Sequence, residues 1–319
     1  MSTNFRFHPK RVASLLWAGA NRVTRYARDR GIFEPIHLPV ATIGIGNVQA
    51  GGAGKTPLAI RLARDAIAEG LQVAVLLRGY RGAWERTGGI LTPFEPAPSP
   101  GLCGDEAALI RDQVPGVWIG VGADRVAQFE TLQSAAGLTK RPFDLVILDD
   151  AYQHWRIRCD RYVVAVTDAE FGERVFRDDY SAIGPDDVVV LTKGEHFPKA
   201  LVDHANRVRA RYRFKPGNPS LRYRFVAAIG DPERARDALR DAGYRIDDMT
   251  VFPDHHAFTL PEIEKILAES RSTESMVLLT GKDWVKWRSL GTSVESVEIV
   301  EPEIAILEGE SIWQGLTRR

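Results

Sequence analysis

The sequence predicts an α/β protein: a parallel sheet with helices on both faces, joined to a second, smaller α/β unit and preceded by an amphipathic helix. Three observations carry this. Short β-branched runs alternate with stretches of helical periodicity. A glycine-rich run stands between an early strand and the helix after it. The strand rhythm lapses after Lys193 and then resumes. At 319 residues, 44% of them hydrophobic, the chain is long enough to bury the cores of two domains.

The elements follow in order. Residues 8–30 place Val12, Leu15, Leu16, Trp17, Val23 and Tyr26 at helical spacing among Lys10, Arg11, Arg22, Arg25, Arg28 and Arg30. No apolar run there approaches the roughly 20 residues of a spanning helix. The pattern suits either a helix packed on its own domain or one lying in the headgroup region of an anionic membrane. "HLPVATIGIGNV" then reads as a strand, "TPLAIRLARDAIAEGL" as a helix, "QVAVLL" as a strand and "GDEAALIRDQV" as a helix start. "GVWIGVG", "FDLVILDD", "RYVVAVTD" and "DDVVVLTK" are further buried strands, with "ADRVAQFETLQSAAG" a helix. The expected division is 1–195 for the first domain and 196–319 for the second. In the second, "FVAAIG" and "MVLLT" read as strands, and Thr259 with Glu262 has capping-box spacing, which sets Asp254 and His255 in the loop ahead of a helix.

Composition narrows the function. Forty-two Lys and Arg balance forty-two Asp and Glu, so no overall field draws the chain to nucleic acid, and no obligate protein partner is indicated. Cys103 and Cys159 form no paired motif, which fits a reducing compartment and argues against a disulfide framework or structural zinc.

The chemistry concentrates in a few places. Gly54-Lys55-Thr56, between a buried strand and an amphipathic helix, makes the sheet P-loop NTPase-type: backbone N–H groups bind phosphate oxygens, the lysine offsets β/γ charge, and the threonine hydroxyl ligates Mg²⁺. The loop over Gln49, Ala50, Gly51, Gly52, Ala53, Gly54, Lys55 and Thr56 is a variant, because strict GxxxxGK[ST] spacing asks for glycine where Gln49 stands. Asp149 and Asp150 end an apolar strand, the usual place for a carboxylate that serves Mg²⁺. Asp105 and Glu106 open a helix and are open to a capping role or a chemical one. His255, beside Asp254 and His256, lacks a metal-ligand spacing and reads alone as either a proton carrier or a satisfied loop histidine.

The stretches "GNVQAGGAGKTP", "RGY", "GDEA", "ADR", "VILDDAYQH", "AIGDPERARDALRDAGY", "FPDHHAFT" and "LLTGKDWVK" resemble, in order and spacing over nearly the whole chain, those of the tetraacyldisaccharide 4′-kinase family, the lipid A 4′-kinases. The resemblance implies transfer of the γ-phosphoryl of ATP to the 4′-hydroxyl of a lipid-linked glucosamine disaccharide 1-phosphate. It also implies an active site in a cleft between two domains and an N-terminal helix that meets the cytoplasmic face of the inner membrane. Lys55 and Thr56 then serve ATP and Mg²⁺, with Glu106, Asp149 and Asp150 near the metal. Asp105 acts with His255 on the hydroxyl proton, Asp254 orients the histidine, and Arg78 and Arg125 are anion contacts. The chain departs from the family pattern at Ala151, at Trp155 and around Arg177, where "VFRDDYSAIGPDD" replaces an "LREP" segment. Two other readings compete: a P-loop switch or metallochaperone-type GTPase, with "LTKGE" as a degenerate guanine-reading segment, and an inactive membrane-associated nucleotide-binding scaffold.

Overall fold

The computed structural model describes residues 9–50, 52–138 and 141–318. The chain divides into two compact units, one of Met1–Val75, Thr139–Arg211 and Ala305–Arg319, the other of Leu76–Leu138 and Tyr212–Ile304. This differs from a single cut after residue 195. The chain crosses from one unit to the other four times, and Asp105 falls in the same unit as His255.

In the first unit the strands lie in the order Glu303–Glu308, Arg207–Arg213, Val188–Lys193, Arg161–Thr167, Ala41–Asn47, Leu145–Asp149, Val73–Leu77. The pairs from Arg207–Arg213 to Leu145–Asp149 are all parallel. Ala41–Asn47 is buried at six consecutive positions, which is how a strand covered on both faces reads. Its register sets Ile45 opposite Asp149, so the strand that leads to the glycine loop and the strand that ends in the acidic pair finish side by side. Arg207–Arg213 lies in the stretch where the sequence shows no strand rhythm. Five of its seven residues are arginine or tyrosine, and only Val208 and Ala210 turn into the core, so apolar patterning gives little sign of it.

Helix Pro9–Asp29 belongs to this unit and packs with its polar residues inward. Ser14 Oγ accepts from the amide of Phe176 at 2.9 Å, Asn21 Nδ2 donates to the Arg177 carbonyl at 2.7 Å, and Arg25 pairs bidentately with buried Asp178 at 2.8 and 2.9 Å. Leu15, Leu16, Trp17, Val23 and Tyr26 face outward, with Leu16 72% and Val23 69% exposed.

The second unit holds a four-stranded parallel sheet in the order Ile246–Val251, Tyr223–Ala227, Met276–Thr280, Val297–Val300. Alternation along the strands gives it two cores. Tyr223, Phe225 and Leu278 pack with Leu239 and Tyr244 on one face; Val226, Val277 and Leu279 pack with Ile263, Ile266, Trp284 and Trp287 on the other. Helix Leu260–Ser272 starts with the expected capping box of Thr259 and Glu262. Helices Asp105–Gln113 and Gly281–Arg288 lie against each other, and Arg288 donates to both carboxylate oxygens of Asp112 at 2.7 Å.

Candidate active site

In the first unit, Gly54 takes a left-handed conformation (φ 81°, ψ 31°) as the N-cap of helix Lys55–Ala68, so the chain turns sharply from the loop into the helix without a capping side chain. The first turn therefore presents the positive end of a helix dipole, with Lys55 and Thr56 at its head. Lys55 Nζ lies 3.3 Å from Asn47 Oδ1 and 3.3 Å from Asp150 Oδ1. Arg177 reaches the same carboxylate at 3.3 Å. Asp149 is buried, and its Oδ1 accepts the amide of Asp150 at 2.9 Å. Asp150 itself has φ 50°, a strained value for a residue with a side chain. Behind the pair, Gln153 Nε2 donates to the Asn47 carbonyl at 3.0 Å, tying the "DDAYQH" turn to the loop strand.

Gln49 and Ala50 are placed differently from the sequence expectation. Gln49 is buried; its Nε2 donates to Tyr180 Oη at 3.0 Å, and its Oε1 accepts the Thr167 amide at 3.1 Å. The Ala50 amide donates to the Val175 carbonyl at 2.8 Å. These groups are hydrogen-bonded within the fold, and the two residues anchor the loop. Ala53 is held in the same way, its carbonyl accepting from Thr192 Oγ1 at 2.8 Å. Gly52 is exposed, and Gly51 lies outside the described residues.

The second unit carries the other constellation. Glycines deliver Asp105: a Cβ on Gly82 would come 2.5 Å from the Gly104 nitrogen, so the "RGYRG" loop can lie backbone to backbone against the turn that starts the Asp105 helix. His255 has φ 63°, and its amide donates to the Ala228 carbonyl at 3.3 Å. Its Nδ1 is 3.1 Å from Asp105 Oδ2, and its ring meets Tyr80 edge to face at 5.7 Å. Asp254 stands 3.8 Å from Nε2; its closer partner is Lys282, at 3.0 Å. Burial pushes the Asp254 carboxyl up, but the Lys282 hydrogen bond and charge, with His255, outweigh it and hold the group below the ordinary carboxylate value. Glu106 follows Asp105 in the first turn of that helix. Arg78 is exposed and paired with Glu85 at 2.7 Å, and Arg125 is buried at the head of helix Arg125–Gly137. Asn47, Tyr80, Lys282 and Lys286 were not singled out from sequence, although two lysines four apart in "GKDWVK" signal one helix face.

The side chains at the loop able to ligate a cation, the Thr56 hydroxyl and the carboxylates of Asp149 and Asp150, all offer oxygen, which suits a hard cation such as Mg²⁺. Among the described residues no group of three or more His, Cys, Asp or Glu is arranged to hold a metal by itself.

A phosphate loop on a parallel sheet, with a carboxylate pair at the end of the neighbouring strand, defines a P-loop phosphotransferase class. Residues 10–318 match the family described as tetraacyldisaccharide-1-P 4′-kinase. The chain is 33% identical over 285 residues to the tetraacyldisaccharide 4′-kinase of Chromobacterium violaceum, a match covering 82% of this chain and 78% of that one. It is 30% identical to the enzyme of the same name from Cytophaga hutchinsonii, covering 86% and 83%. In fold it resembles LpxK from Aquifex aeolicus, solved in complex with ATP, with a TM-score of 0.69 over 95% of each chain at 22% identity. The chain belongs to the tetraacyldisaccharide 4′-kinase family.

Proposed function

We propose that the two units divide one phosphoryl transfer: the first holds the donor, the second activates the acceptor. The chain is a kinase that uses ATP to phosphorylate the 4′-hydroxyl of a tetraacylated glucosamine disaccharide 1-phosphate in lipid A biosynthesis. The observation that carries the division is the paired geometry, Lys55 beside Asp150 in one unit and Asp105 hydrogen-bonded to His255 in the other. On arrival of ATP, Lys55 exchanges its carboxylate partner for β- and γ-phosphate oxygens, and the loop amides at 52–56 cradle the phosphates. Thr56, Asp149 and Asp150 would hold Mg²⁺, which when bound supplies charge neutralisation on those oxygens. Glu106 joins that metal set on the family resemblance alone.

A sugar hydroxyl is a weak nucleophile at neutral pH, so the Asp105–His255 pair serves as the acceptor of its proton while the oxygen attacks phosphorus. Alignment and charge neutralisation account for most of the rate.

The inverted helix Pro9–Asp29 supports attachment to the cytoplasmic face of the inner membrane. A surface helix of a globular protein turns its apolar side inward; this one turns Ser14, Asn21 and Arg25 inward and leaves Leu15, Leu16, Val23 and Tyr26 to the outside. Among the described residues no helix is long and apolar enough to cross a membrane, so the contact is peripheral in this reading.

The test is transfer of label from ATP to the tetraacylated disaccharide 1-phosphate in detergent micelles, with Lys55→Ala as the blank. Asp105→Asn and His255→Gln should each lower kcat by about 10²-fold or more while ATP affinity holds. Equal losses of ATP affinity would remove the proton-accepting role.

A further inference from the structure

A neutral imidazole has one N–H and one lone pair, and the groups facing its two nitrogens decide which is which. In the second unit His255 Nδ1 faces the Asp105 carboxylate at 3.1 Å, and Nε2 faces the Lys282 ammonium at 3.2 Å. A carboxylate only accepts and an ammonium only donates. One tautomer satisfies both: Nδ1–H donating to Asp105, with the Nε2 lone pair accepting from Lys282. The other sets an N–H against the ammonium and a lone pair against the carboxylate, two repulsive contacts in place of two hydrogen bonds.

We propose that Lys282 is a positioning residue of the transfer reaction, holding His255 in the Nδ1–H tautomer so that the imidazole braces Asp105 and leaves the carboxylate as the proton acceptor. This rests on the Asp105–His255 reading above and deepens it.

The surroundings fix Lys282 where this role needs it. Its ammonium is also held by Asp254 Oδ1 at 3.0 Å, so the carboxylate that sequence reasoning sets on the histidine acts through the lysine. Helix Gly281–Arg288 is locked at its start: Thr280 Oγ1 accepts the Asp283 amide at 3.2 Å, and fully buried Asp283 accepts the Ala228 amide at 3.1 Å. The carbonyl of that same Ala228 accepts the His255 amide, so one backbone residue ties the lysine helix and the histidine loop together. One turn further along, buried Lys286 lies 2.8 Å from Asp283 Oδ1 and 3.9 Å from Asp105 Oδ2. The helix therefore offers one ammonium to the imidazole and a second to the carboxylate.

The consequence is a definite route for the proton. With Nε2 engaged by Lys282, the acceptor O–H bond breaks toward a carboxylate oxygen of Asp105, where the new O–H bond forms. The hydroxyl oxygen bonds to the γ-phosphorus as the bond from that phosphorus to ADP breaks, its electron pair leaving on ADP. His255 keeps its own proton throughout.

The measurement is a two-bond ¹H–¹⁵N correlation spectrum of the full chain labelled at histidine, in detergent, with the His255 signals assigned by their loss in His255→Gln. The expected wild-type pattern is a protonated Nδ1 and a pyridine-like Nε2. Lys282→Met should move His255 toward the Nε2–H form and lower kcat by about 10- to 100-fold, with the KM for ATP changed less than about threefold; Lys282→Arg should recover part of the loss. That is smaller than the roughly 10⁴-fold loss seen where a triad histidine is left in the wrong tautomer, because here the carboxylate itself takes the proton. A wild-type Nε2–H signal would overturn the inference and leave the Asp105 reading standing. So would Lys282→Met raising the KM for ATP with kcat unchanged, which would make the lysine an anion contact. Undiminished turnover of Asp105→Asn, by contrast, would sink the reading of the reaction itself.

Discussion

Replacing Gln49 by glycine would give the chain the strict phosphate-loop spacing that its sequence lacks, and from pattern alone the change looks like a repair. The structure predicts damage. The Gln49 side chain is buried, accepts the Thr167 amide at 3.1 Å and donates to Tyr180 Oη at 3.0 Å. Thr167 is itself buried, so the variant strands its N–H without a partner, a loss of about 1–3 kcal/mol. Tyr180 still donates to the Ala169 carbonyl and forfeits only one accepted bond, about 0.5–1.5 kcal/mol. Glycine adds roughly 0.5–1 kcal/mol of backbone entropy. The sum is about 2–5 kcal/mol, which at a slope of about 2–3 kcal/mol per molar urea lowers the unfolding midpoint by roughly 1–2 M. Gln49→Met keeps the volume and removes the hydrogen bonds, so it should retain more stability than the glycine variant while still falling below wild type. ATP protection of the loop should weaken in both. A Gln49→Gly protein that unfolds at the wild-type urea concentration and binds ATP as well would refute the reading of Gln49 as an anchor.

Three further outcomes are expected. Asp254 has a depressed carboxyl in the fold, so its contribution is complete above its unfolded value near 4 and is lost as pH falls through the lower folded one. Asp254→Asn should therefore lose ground to wild type at pH 7 and recover it below about pH 4, by urea midpoints taken across that range; a pH-independent difference would remove the Lys282 pairing as the cause. Trp313, buried, donates from Nε1 to Asp65 at 2.8 Å, and Trp313→Ala should cost about 3–5 kcal/mol in chemical unfolding, with Trp313→Phe milder; an equal loss in both would be evidence against a packing role for the ring. Leu16→Glu and Val23→Glu change exposed positions, so thermal midpoints should hold while binding to anionic vesicles falls about tenfold each, and unaltered sedimentation with vesicles would detach the helix from that task.

What the sequence disclosed and what it hid follow from how each feature is made. The loop strand, its helix and the strand ending at Asp149 are local patterns, continuous apolar runs and a 3.6 period, and they stand where pattern reading puts them. The capping box at Thr259 is a spacing of three and was equally legible. Arg207–Arg213 was not, because a strand rich in arginine draws its stability from the ladder to Val188–Lys193, which lies outside its own sequence. The inward turn of the Gln49 side chain is equally illegible, because motif reading counts positions and cannot see which way a side chain turns. The membership of Asp105 in the unit of His255 was hidden for a related reason: the chain returns to that unit after a long excursion, and no composition shift marks the crossing.

Backbone strain points to the same two places as the chemistry. Four described residues other than glycine have positive φ: Arg81, Asp150, His255 and Glu274. Such conformations cost of order 1–3 kcal/mol each and persist only where the surroundings impose them. Glu274 sits in the turn that follows helix Leu260–Ser272, where a left-handed residue is an ordinary way to end a helix. The other three have no such excuse. Asp150 puts its carboxylate on Lys55 and Arg177, His255 puts its ring between Asp105 and Lys282, and Arg81 lies beside Tyr80, whose ring packs on that histidine. Glycine at 150 or 255 would relax the backbone and abolish the side chain that the strain aims. A sequence that retains the side chain at that cost is one in which local comfort has yielded to the position of a carboxylate and an imidazole, which is what the phosphoryl transfer proposed for this chain would require of both.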